Sequence, residues 1–196
     1  MSNYSFTNLD QSRIPFPVSA CVSDVELSKC EYGMGENYEY IDFHYTRETD
    51  EGTALLKDRI FAIREENVSP ASYIPGDTKE DALKREEGKL MKRLLHVATK
   101  FGITKDELQK LPTSSFSALA KAYCQLINDN CDGVKLYCKT VKDKNGYCKM
   151  SKYVPFLQKM GKECELSYNS YEITQLAANT PSNGAVKESR QVQDWV

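Results

Sequence analysis

The residues best placed to do chemistry lie between Gly133 and Leu157. Six lysines (135, 139, 142, 144, 149 and 152) fall there against a single acid, Asp143, and Tyr137, Tyr147 and Tyr153 are interleaved with them. Cations that follow a phosphate backbone, set beside rings on which bases stack, are what a single-stranded nucleic-acid groove requires. Asn145-Gly146 is a strong signal for a hairpin turn, and the β-branched and aromatic flanks, 134–141 and 147–156, suit paired strands. The simpler reading of the same lysines is an edge hairpin that carries charge to prevent edge-to-edge association.

Other chemistries are poorly provided for. A nucleophilic cysteine needs a base, and the chain holds two histidines, His44 and His96. His96 stands among apolar neighbours in a helical pattern and reads as structural, while His44 reads as a ring on an open strand face. The seven cysteines (21, 30, 124, 131, 138, 148 and 164) form no Cys-x-x-Cys pair, so they read as small apolar core residues of a reducing compartment rather than as a zinc site. Gly33-Met34-Gly35 lacks the context of a phosphate-binding loop, and the carboxylates are scattered. No catalytic residue, metal or cofactor is expected. The formal net charge is −2, so a nucleic-acid surface must come from the distribution of charge and not from its sum. With no apolar run of membrane length and no apolar leader, a cytoplasmic location is expected, with no membrane partner.

The elements that must position these side chains follow from periodicity. Residues 16–27 alternate, with a phase slip between Val22 and Val25 that suggests a bulge. Residues 38–47 form a second strand. Ile41, Phe43 and Tyr45 face the core, and Tyr38, Tyr40, Asp42 and His44 face outward. Residues 53–64 form a third, with Leu56, Ile60 and Ala62 inward and Lys57, Arg59 and Phe61 outward. The competing expectation is that helices roof Tyr40 and Phe61. A helical block over about 77–128 follows, capped at Asp77 or Thr78, at Thr104 and at Ser114 or Ser115. In the hairpin, Leu136, Cys138 and Tyr153 favour one phase and Val141, Met150 and Val154 the other, which leaves its inward face open.

Three strands, a helical block and two more strands is the element order of the OB-fold, a small, partly open five-stranded barrel. The layout over roughly residues 14–160 resembles the OB-fold single-stranded-DNA-binding proteins of bacteriophage replication modules. The resemblance implies a mainly β fold with inserted helices between strands three and four. It also implies non-catalytic coating of single-stranded DNA in replication, recombination or repair, in a host cytoplasm. The expected contacts are Lys29 and Tyr32 in the first loop, and Tyr38, Tyr40, His44, Lys57, Arg59 and Phe61 on the face of strands two and three. Lys139, Lys142, Lys144, Tyr147, Lys149 and Lys152 would add the hairpin. Residues 1–164 would form the OB-fold-like domain and 165–196 a mobile tail that contacts replication or recombination proteins. Such families often carry a strongly acidic C-terminal tip. Here residues 162–196 hold five acids and three bases, and the sole tryptophan, Trp195. A protein–protein module of a replication or virion assembly and an RNA-binding OB protein are the alternatives, and the sequence leaves room for an oligomer.

Overall fold

The computed structural model describes residues 14–178. It is mainly β: a five-stranded antiparallel sheet, a separate two-stranded sheet and four α-helices among the described residues. The strands are β1 (Val22–Met34), β2 (Glu39–Thr49), β3 (Gly52–Phe61), β4 (Lys135–Cys138), β5 (Thr140–Lys142), β6 (Cys148–Met150) and β7 (Leu157–Lys159). The helices are α1 (Lys79–Lys100), α2 (Lys105–Gln109), α3 (Phe116–Asn128) and α4 (Ser170–Ala178). The larger sheet runs β3-β2-β1-β4-β7, and β5-β6 form the smaller. The larger sheet is open. Its edge strand β3 lies beside β6 without pairing to it, so the expected closure into a five-stranded barrel is not made by backbone hydrogen bonds.

Alternation decides the faces of β2 as the sequence implies: Ile41, Phe43 and Tyr45 are fully buried. α3 packs on this inner face, with Tyr123 edge-on to Phe43 at 6.3 Å. The Asn128 side chain accepts from the Cys30 N–H and donates to its carbonyl, both at 2.8 Å, where β1 has run past β4 and would otherwise lack a partner. The phase slip in β1 is real. Asp24 has φ +56°, and the register shifts between Val22 and Val25 and again between Leu27 and Lys29. Thr78 and Thr104 both form reciprocal capping boxes, with Asp81 and Glu107, and Ser115 caps α3.

The ambiguous phase of the predicted long hairpin has a structural cause. The chain changes sheet at Lys139, whose N–H bonds the Phe156 carbonyl and whose carbonyl accepts from the Ser151 N–H. Leu136 and Cys138 are buried on β4 in one sheet, and Val141 and Met150 are buried in the other, so each phase holds over its own strand. The turn also differs from the two-residue type. The Gly146 N–H bonds the Asp143 carbonyl, Gly146 alone takes positive φ (+83°), and Asp143 Oδ1 accepts from the N–H groups of Asn145 and Tyr147. This is a type I turn closed by a glycine bulge.

Two further expectations are corrected. Cys21 and Cys164 form a disulfide, while the other five cysteines are free and four of those are buried. The chain from residue 165 does not start as a tail. Leu166 and Glu172 are buried, and the Tyr168 hydroxyl donates to the Thr140 carbonyl at 2.7 Å. Trp195 and the rest of the segment beyond Ala178 lie outside the described residues.

Candidate nucleic-acid interface

The outer face of β1–β3 is built in rows across the sheet. Register sets Lys29, His44 and Lys57 in one row, Glu31, Asp42 and Arg59 in the next, and Gly33, Tyr40 and Phe61 in the third. Residues opposite each other in antiparallel strands share a face, so the expected meeting of rings and cations here is observed. No helix among the described residues roofs it: Tyr38 is 45% exposed and Phe61 49%. The rings touch edge-on, Tyr38 to Phe61 at 5.5 Å and Tyr40 to Phe61 at 6.3 Å. Glycine makes the cluster possible. A Cβ on Gly33 would stand 2.3 Å from the Tyr40 ring, and one on Gly35 would stand 2.7 Å from the Tyr38 ring.

The charges of this face are spent on one another. Asp42, almost wholly buried, accepts from Arg59 Nε at 2.7 Å and Nη2 at 2.8 Å, and from Lys57 Nζ at 2.9 Å. Burial pushes the Asp42 carboxyl up, but these bonds outweigh it and hold the pKa below the ordinary value. Glu31 pairs with Lys29 and takes His44 Nε2 at 2.9 Å; the Lys29 bond is the chief reason its pKa is lowered. The Arg59 guanidinium also stacks 3.7 Å from the Tyr40 centroid. Tyr40 therefore covers Gly33, carries Arg59, and is no longer free to stack on a base, contrary to expectation. Glu31, Asp42 and His44 hold ligand atoms within 4.8 Å of one another. A cation seated there would displace or face Lys29, Lys57 and Arg59, and we read the group as an ion-pair network.

The edge of β3 opens into a second region, a groove of about 900 Å³ between β3, α1 and residues 149–154. Lys57, Arg59 and Phe61 reach it from β3, and Lys149, Lys152 and Tyr153 line the opposite bank. Lys89, Lys92 and Arg93 enter from α1. Seven basic residues thus meet two acids, Asp58 and Glu86. Arg93 forms the floor of the seam that a closed barrel would have paired. It donates to Asp58 at 2.6 Å and to the Ser151 carbonyl at 2.8 Å, and lies 4.1 Å from the Phe156 centroid. Lys89 pairs with Glu86. Lys92, Lys149 and Lys152 make no ion pair among the described residues, which leaves three solvent-facing charges unneutralised.

His96 supports this bank from behind. It is buried, and its Nε2 accepts the N–H groups of Phe156 at 3.2 Å and Leu157 at 3.1 Å, so the ring is neutral with its proton on Nδ1. Burial, reinforced by the charges of Lys100 and Arg93, lowers its pKa to about 4.

The remaining expected contacts scatter. Tyr32 lies within β1, not in a loop. It pairs with Ile41 on the inner side, donates to Glu39 at 2.6 Å and carries Lys121 5.1 Å above its ring. Lys29 is also within β1. Lys142, Lys144 and Tyr147 stand at the β5–β6 tip and do not line the groove. Lys139 is corrected outright. It is buried, and its Nζ donates to Glu172 at 3.0 Å and to the Ser167 carbonyl at 3.1 Å, so it cannot meet a phosphate. Sequence reasoning missed Lys89, Lys92 and Arg93. The available signal was the stripe Glu86, Lys89, Leu90 and Arg93 at three- and four-residue steps on α1, which reads equally as a solvated helix face.

Compared with family models, curated proteins and solved structures, the chain matches none. Among the described residues, no helix is long and apolar enough to cross a membrane.

Proposed function

We propose that the protein binds single-stranded nucleic acid, DNA in the first instance, along the groove at the β3 edge, as a non-catalytic coating protein of replication, recombination or repair. The observation that carries this reading is the convergence of seven basic side chains from three segments distant in sequence, three of them without an acidic partner among the described residues, in a molecule of net charge −2. Charge concentrated against the overall sign is the footprint expected of a polyanion site. Phe61 and Tyr153 line the same groove and are both exposed, which suits base stacking. The OB-fold-like reading belongs here too: β1 pairs with both β2 and β4, and α1, α2 and α3 fall between β3 and β4.

The test is equilibrium binding of labelled oligo-dT across a salt series, with oligo-U and duplex DNA as competitors. Affinity for oligo-dT is expected to fall linearly with log salt, and duplex is expected to compete poorly. No binding to either single strand at low salt removes the proposal. Preference for oligo-U would move it from DNA to RNA.

A further inference from the structure

The groove has a third wall that its charges do not explain. Asn169 lines it, and Tyr171, the next residue but one, stacks on Tyr153 with centroids 6.4 Å apart and planes 17° from parallel. Both rings face solvent, Tyr171 at 70% exposure and Tyr153 at 41%. Stacked tyrosines left this open gain little from burial, yet the segment that presents Tyr171 is anchored tightly. Glu172 is almost completely buried. Its carboxylate accepts from Lys139 Nζ at 3.0 Å, from the Asn169 N–H at 2.8 Å and from the Ser151 hydroxyl. Leu166 is also buried, and the Cys21–Cys164 disulfide ties the start of the segment to the residue before β1. A carboxylate and an ammonium are taken out of water only where such bonds fully replace hydration, and the arrangement fixes position more than it adds stability. What it fixes is Tyr171 against Tyr153, on the bank that carries Lys149 and Lys152.

We infer that Tyr171, with Tyr153, is a base-stacking platform at the margin of the groove, so that the segment from 164 to 178 is part of the nucleic-acid site. The inference rests on the groove reading above. It assigns Tyr171 and Tyr153 to bases and makes Glu172 a positioning residue acting through α4.

The experiment compares Tyr171→Ala and Tyr171→Phe with the native chain in oligo-dT binding, together with photocrosslinking to iodouracil-substituted oligo-dT. Tyr171 is too exposed for either change to disturb folding, which circular dichroism checks. Tyr171→Ala should weaken binding roughly 5- to 100-fold at unchanged salt slope, because a stacked ring and not a charge is lost. Tyr171→Phe should bind as the native chain does, and the native crosslink should map to the peptide holding Tyr171. If Tyr171→Ala binds normally while replacing Lys92, Lys149 and Lys152 lowers the slope, the platform is wrong and the groove stands. If neither change alters binding, the groove reading fails and this inference fails with it.

Discussion

The outer face of β1–β3 and the groove beside it share Lys57, Arg59 and Phe61 but handle charge in opposite ways. On the face, two carboxylates, Glu31 and Asp42, engage every cation in reach, and the product is a rigid support for Tyr40. In the groove, the acids Asp58 and Glu86 neutralise Arg93 and Lys89 and leave Lys92, Lys149 and Lys152 over. A count of basic residues does not separate the two regions. What separates them is whether an acid sits within bonding distance, because a paired cation must give up its partner before it can release a counterion from a phosphate. The face therefore positions rings, and the groove keeps the unpaired charges that the proposed phosphate contacts need.

The largest effect expected is at the seam between the two regions. Arg93→Ala strands the nearly buried Asp58 and frees the Ser151 carbonyl, and should cost about 3–5 kcal/mol in chemical denaturation. A cost below about 1 kcal/mol would show that the seam is wet and that Arg93 is ordinary surface.

Acid should loosen the groove bank before the outer face. The fold keeps His96 neutral down to about 4, whereas the unfolded chain protonates it near 6.5. Its contribution is thus fully present above pH 6.5 and lost as pH falls from there towards 4, by about 3 kcal/mol at about 1.4 kcal/mol per pH unit. Hydrogen exchange at the Phe156 and Leu157 N–H groups, corrected for intrinsic rates, reads this directly. A His96→Gln chain should lack that slope, and the comparison weakens if it keeps it.

Replacing Lys92, Lys149 and Lys152 together with Ala should flatten the salt dependence by about 2 in log–log slope and weaken oligo-dT binding on the order of 10- to 100-fold, at about 0.7 per single-strand phosphate contact. Lys29→Ala, which removes a cation already held by Glu31, should leave the slope as it is. Equal losses from both variants would erase the distinction between the regions.

A smaller change should break the face alone. Gly33→Ala drives a methyl into the Tyr40 ring and should cost about 1–3 kcal/mol, with the salt slope retained. Retained stability would mean that the ring shifts freely and that Tyr40 is not held.

Much of the site was legible residue by residue. Alternation along 38–47 and 53–64 placed Tyr38, His44, Lys57, Arg59 and Phe61 on one face, since side-chain direction in a strand is local. Lys139 and Lys149 show where that reading stops. Both sit in the same lysine-rich stretch with similar neighbours. Lys139 is buried because Glu172, 33 residues later, returns to meet it, and nothing within the stretch encodes that return. Tyr32 failed for a related reason: the shifts in β1 put a residue expected in a loop onto the inner side of a strand.

By itself, then, the sequence determined β2 and β3 and their faces, the cap of α2 and the neighbourhood of the caps of α1 and α3, a turn at Asn145-Gly146 and the supply of cations and rings, because these depend on steric periods and bonds spanning a few residues. The tertiary structure decided which cations are neutralised, that the sheet stays open beside β3, and that Asn169 reaches the groove and Tyr171 meets Tyr153 at its margin. Those outcomes depend on distances through space between groups remote in the chain, where a few ångströms decide whether a charge is paired or left facing water.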